Sequence, residues 1–216
     1  MATVTVRGRA EADAEPDRVR LGFAVRAEAA TGSEALALVA DRSAAADEAL
    51  DRFGDLLLVR RPAAVTLSPI WSDPSGLPGA QTITGQAARR AVVIEVRASG
   101  PLGELLAAIA AVPGAAVDST EWLIDPGNPV HARLRGAAVA DARERAADYA
   151  QAADLRLGAL EWITEPDVRP GDPGFVLARA KSLGFMDESG GGPVLELRPQ
   201  PVRVEASVDV RYALLG

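Results

Sequence analysis

From Thr3 to Ala10, Val4, Val6 and Gly8 alternate with Thr5, Arg7 and Arg9. A period of two is that of a strand with one buried face. Glu15-Pro16-Asp17 interrupts the pattern, and Val19, Leu21, Phe23 and Val25 then alternate with arginines and small residues, predicting a second strand paired with the first. Thr31-Gly32-Ser33-Glu34 has capping-box spacing, in which the threonine hydroxyl and the glutamate satisfy each other's free amides at a helix start. Leu36, Val39, Ser43, Ala46, Leu50, Phe53 and Leu57 then recur in steps of three and four, predicting one helical face packed on a sheet.

Beyond Pro62, the residues Val65, Leu67, Pro69 and Trp71 mark a third strand, followed by the turn-rich stretch Asp73 to Gly79. A long strand is predicted over Ile83 to Ala98, then a short helix from Leu102 to Val112 that buries Leu105, Leu106 and Ile109 and stops at Pro113-Gly114. Val117 to Ile124 reads as a strand. Asn128-Pro129 supplies an N-cap and a first helical residue, and the alanine-rich helix that follows runs to about Leu155. Leu157 to Thr164 is a strand containing Trp162, and Glu165 to Pro193 a loop rich in glycine and proline. Pro201 to Leu214 closes the chain as an edge-to-centre strand, with Val202, Val204, Ala206, Val208, Val210 and Tyr212 facing inward.

The order ββα-ββα-βα-ββ, with its tight connections, predicts an α+β fold: a two-lobed α/β sandwich of mainly antiparallel sheets with helices packed on one face. Residues 1–216 form a single domain in this reading, with sub-lobes 1–60 plus 155–216, and 61–154. Residue identity shows no tandem repeat.

Composition narrows the function. The chain has 216 residues, a net charge of −7 and no cysteine. Acidity argues against nucleic acid, whose phosphates need a basic face. Absence of cysteine excludes disulfides, thiolate metal sites and cysteine nucleophiles. No apolar run approaches bilayer length, so no membrane insertion is expected. The N-terminus has no apolar leader pattern, and a cytoplasmic location is the expectation.

Candidate chemistry is sparse. His131, the single histidine, lies in the first turn of the long helix near Asp118 and Asp125 without a nucleophile in pattern; a cap or surface position is expected. Asp187-Glu188 and Asp13-Glu15-Asp17 lack the spacing of a metal loop. Gly190-Gly191-Gly192 precedes proline rather than a helix with Lys-Ser/Thr, so it is no phosphate loop. No catalytic, cofactor or metal residue is assigned. Trp71 is a candidate pocket residue. Phe175, Val176, Leu177, Phe185 and Met186 are apolar residues in the long loop, expected to dock on the lobes or on a neighbouring subunit as an interface.

Three segments in order resemble the SIMPL-domain family, also called YggE-like and long catalogued as a domain of unknown function. Gly8-Arg9-Ala10 through Glu15-Pro16-Asp17 to Thr31-Gly32-Ser33-Glu34-Ala35 is similar to the family's opening strand pair and helix start. Ala137 to Ala146 with Tyr149-Ala150 and Leu155 to Gly158 is similar to its long helix and the strand beyond, although Asp154 stands where glycine is usual. Pro199 to Leu214 is similar to its closing strand. The resemblance implies a two-lobed α/β fold, a tendency toward homo-oligomers, no established catalytic residues, and a loose association with stress tolerance or adaptor roles. The expectation is therefore a non-enzymatic homo-oligomeric scaffold or adaptor with a possible protein partner. A small-ligand module using a cleft between lobes is the alternative, and a hydrolase ranks below it.

Overall fold

The computed structural model describes residues 2–72, 82–166 and 198–216. The element order is β1 (Thr3–Ala14), β2 (Arg18–Ala29), α1 (Gly32–Asp51), β3 (Leu57–Ser72), β4 (Thr82–Arg97), α2 (Leu102–Ala110), β5 (Ala115–Leu123), α3 (Pro129–Ala152), β6 (Arg156–Thr164) and β7 (Val202–Leu215). The strands form two antiparallel sheets, ordered β1-β7-β6 and β3-β4-β2-β5. The fold is α+β, with helices on one face of each sheet.

Two compact units result. Among the described residues the first comprises 2–15, 124–166 and 200–216, and the second 16–72, 82–123 and 198–199. The boundaries therefore differ from sub-lobes cut near residues 60 and 155. The cause is strand pairing. β2 bonds β4 and β5, not β1, which lies along β7 from Thr3↔Ala213 to Ala14↔Val202. Glu15-Pro16-Asp17 is thus a crossing from one sheet to the other rather than a hairpin: the Asp17 N–H donates to the Leu123 carbonyl at 3.0 Å, and its own carbonyl accepts from Ala98 at 2.8 Å. β7 is the central strand of its sheet, and Pro201 precedes it where no ladder donor is needed.

In the second unit, Val19, Leu21, Phe23 and Val25 of β2 and Val92, Ile94 and Val96 of β4 share one face and are at most 1% exposed. Ala46, Ala49 and Leu50 of α1 and Leu102, Leu105, Leu106 and Ile109 of α2 cover them. Each large aliphatic so buried contributes about 1.5–3 kcal/mol. α1 begins as its sequence demands: the Thr31 hydroxyl accepts from the Glu34 N–H at 3.3 Å while the Glu34 carboxylate accepts from the Thr31 N–H at 3.0 Å. Its inward face is Ala35, Val39, Ser43, Ala46, Ala49 and Leu50. Leu36, expected inward, is 39% exposed, because the stripe is rotated onto the small residues. The helix ends at Asp51, so Phe53 and Leu57 pack half-buried from the following turn and strand instead.

In the first unit α3 starts at Asn128, whose side-chain oxygen accepts from the Val130 N–H at 2.8 Å, with Pro129 in the first helical turn. Ala138, Ala142, Ala146 and Ala150 recur every four residues and are no more than 1% exposed. This methyl stripe lets the helix lie close on β1 and β7, where Val6, Val208, Val210 and Tyr212 meet it. The helix leaves through Asp154, whose φ of 56° is left-handed. That is the conformation glycine takes best and aspartate tolerates.

Candidate functional site

Each helix is narrower than the sheet beneath it. α1 lies over β2 and β4, and α3 lies over β1 and β7. One edge strand per unit is left mostly bare: β3 in the second, and β6 in the first, where α3 touches β6 and Leu157 packs on its core. Their large apolar side chains remain in water. Val65, Leu67, Trp71 and the cross-strand partner Ile83, and Leu160, Trp162 and Ile163, are between 46% and 57% exposed. On β6, Leu160 and Ile163 pair with Tyr212 and Val210 and share the helix side of the sheet, whereas Trp162 pairs with Arg211 on the other side.

A groove accompanies each bare strand. Between α1 and β3 it measures about 420 Å³ and is lined by Leu36, Val39, Ala40, Ser43, Ala44, Asp47, Val65 and Arg90. Between α3 and β6 it measures about 280 Å³, lined by Arg135, Ala138, Val139, Ile163, Thr164, Glu165, Ser207 and Val208. Both have apolar floors with one acid and one base at the rim. Asp47 is bonded by Arg60 and, at 3.2 Å, by Arg90. The Ser43 hydroxyl is buried without a hydrogen-bond partner.

The opposite face of each sheet is mostly polar, with Trp162 of β6 lying there beside Arg211. On the first unit Arg7 forms a two-toothed pair with Asp209, at 2.7 and 2.8 Å, and Arg203 pairs with Glu11. The Arg7 hydrogen bond holds the Asp209 carboxyl below its ordinary range. Asp141 is lowered chiefly by accepting the Arg9 backbone N–H at 2.9 Å, and further by Arg145. On the second unit Arg20 bridges Glu95 at 2.8 Å and Glu121 at 2.7 Å. These are exposed or half-exposed ladders, each worth about 0–1 kcal/mol.

A family model described as SIMPL, protein of unknown function (DUF541), matches residues 4–212. The chain belongs to the SIMPL family. No curated protein matches it significantly.

Trp71 of this SIMPL chain projects from β3, pairs across with Ile83, and lines neither groove. Phe175, Val176, Leu177, Phe185 and Met186 lie outside the described residues, as do Asp187-Glu188 and Gly190 to Gly192. His131 is half-buried at the start of α3, its Nε2 3.1 Å from the Asp125 carbonyl oxygen, a hydrogen bond local to the helix start. Asp13, Glu15 and Asp17 straddle the crossing between the two units. Among the described residues no helix is long and apolar enough to cross a membrane. The bare faces of β3 and β6 carry the missed signal. Alternation identifies which side chains share a strand face, but not whether a helix is wide enough to cover them.

Proposed function

We infer that this SIMPL chain is a non-enzymatic homo-oligomeric scaffold or adaptor in the cytoplasm, with stress tolerance as the setting the family resemblance implies. One observation supports the reading: half of the exposed large apolar side chains among the described residues lie on two edge strands, β3 and β6. Each is already about half-buried, so a second copy covering it recovers at most about half of the roughly 1.5–3 kcal/mol of full burial. Amide hydrogen exchange at low and high protein concentration tests it. Peptides over 57–72 and 156–164 gain protection on concentration; exchange there that is independent of concentration contradicts the reading.

A small-ligand reading has one observation in its favour. The groove between α1 and β3 has a ligand-sized volume of about 420 Å³. It lies within the second unit, and its floor offers apolar contact with only Ser43, Asp47 and Arg90 to orient a ligand. Saturable binding of small apolar probes that is lost in Val65→Glu would favour this reading.

A further inference from the structure

A sheet edge is a template for another strand. Among the described residues the two sheets end in β1, β6, β3 and β5. Three of these edges are irregular in their own backbone. β3 contains Pro62 and Pro69, which carry no N–H, and shifts register against β4 between Pro62 and Val65. β6 shifts between Leu157 and Leu160 and again before Trp162. β5 bulges at Asp118, where Gly22 pairs with Ser119 but Phe23 with Val117. β1 has none of these devices. It runs 12 residues, Thr3 to Ala14, without proline and in unbroken register with β7.

The pairing determines which backbone groups lie on the free edge of β1. The Leu214 N–H donates to the Ala2 carbonyl at 2.9 Å. Even-numbered residues of β1 therefore exchange hydrogen bonds with β7, and odd-numbered ones turn their N–H and C=O outward. Near the middle of that outward row, the Arg9 N–H donates to Asp141 Oδ2 of α3 at 2.9 Å. Arg145, one helical turn further along, donates its Nε–H to the same oxygen at 3.0 Å and holds the carboxylate in place. Gly8 makes the reach possible. It lies so close under α3 that an added methyl would fall 1.9 Å from the Ala138 carbonyl oxygen, and at that separation a side chain as short as aspartate spans from helix to strand edge.

We propose that Asp141 is an edge guard: its carboxylate takes the one position at Arg9 that the carbonyl of an incoming strand needs, and so keeps a second copy of this chain from adding to β1. An arriving carbonyl meets an acceptor where it requires a donor, and the row of outward groups is cut into two short pieces on either side of Arg9. The guard goes beyond the oligomeric reading above and does not depend on it, because assembly through other surfaces leaves Asp141 in place.

Residue-resolved amide exchange on the wild-type chain tests it first. The Arg9 amide should be protected about tenfold or more above those of Thr5 and Glu11, which point outward on the same strand. Equal protection at the three positions overturns the proposal: uniformly low values mean that Asp141 does not hold the amide, and uniformly high values mean that the edge is already covered. Asp141→Ala removes the acceptor, while Asp141→Asn keeps one. In dilute solution the alanine variant loses the Arg9 protection, and at tens of micromolar it gains mass over the wild type in light scattering. The asparagine variant keeps the wild-type protection and mass. Adding Arg9→Pro to Asp141→Ala removes the outward donor and abolishes the gain. An alanine variant of wild-type mass, an asparagine variant that associates as the alanine one does, or a gain that survives Arg9→Pro each overturns the guard. Should Asp141→Ala lose its circular dichroism spectrum, the wild-type exchange comparison decides alone.

Discussion

Gly8 lies on β1 under the alanine stripe of α3. A methyl built on its α-carbon falls 1.9 Å from the Ala138 carbonyl oxygen and 2.6 Å from the Ala142 β-carbon. Ordinary contact begins near 3.4 Å, so α3 must lift by more than an ångström or β1 must sink. The obstacle is helix backbone, which cannot rotate aside as a side-chain tip can. Overpacking of this kind costs about 1–3 kcal/mol, and a backbone obstacle places Gly8→Ala at the top of that range. Removing a glycine from the unfolded chain returns about 0.4–1 kcal/mol. A net loss of about 2 kcal/mol lowers the melting temperature by roughly 4–8 °C for a chain of this size. Differential scanning calorimetry reads the shift, and a separate transition for the first unit would carry it alone. Gly136→Ala is the matched control: it sits in α3 with nothing within 4 Å of the added methyl, and should stabilise by about 0.5–1 kcal/mol. A Gly8→Ala melting temperature at or above the wild-type value would refute the close approach of α3 to β1.

Other expectations follow from single positions. Asp154→Gly relieves the left-handed residue after α3 and should stabilise by about 0.5–1 kcal/mol, seen as a higher urea midpoint; a lower midpoint would show that the aspartate side chain stabilises the cap. Leu50→Ala, at a fully buried site, should cost about 2–5 kcal/mol, whereas Leu36→Ala on the exposed flank should cost under about 1 kcal/mol; equal midpoints would contradict the orientation of α1. The Asp141 carboxyl is lowered by the Arg9 amide and Arg145, so its contribution is full above its unfolded value near about 4 and is lost as pH falls through the folded one. Asp141→Asn should therefore flatten the fall in melting temperature between about pH 5 and pH 2, and an unchanged slope would mean that the carboxylate is not held in solution.

Local chemistry was legible wherever one or two residues decide a structure. Thr31 with Glu34, and Asn128 with Pro129, marked the starts of α1 and α3, and both caps form. The alternation of Val202 through Tyr212 identified the inward face of β7, because period two is insensitive to which neighbour pairs. Partner choice was not legible. β1 and β2 are adjacent in sequence and both alternate, yet β1 closes on β7 nearly two hundred residues away because Pro16 and Asp17 turn the chain between sheets. The rotation of α1 also escaped: Leu36 is the more apolar residue, but Ala35 fits under the helix where a leucine would hold it off the sheet. The candidate faces on β3 and β6 read as ordinary strands because their exposure follows from helix width, which no strand residue encodes.

The central claim is that the bare strands are covered by another copy of this chain. Light scattering coupled to size exclusion, at tens of micromolar, measures it directly. The expected mass is a multiple of the 22.4 kDa chain and falls to the single-chain value when Val65→Glu and Leu160→Glu are combined. A wild-type protein that elutes at 22.4 kDa across that concentration range would contradict it.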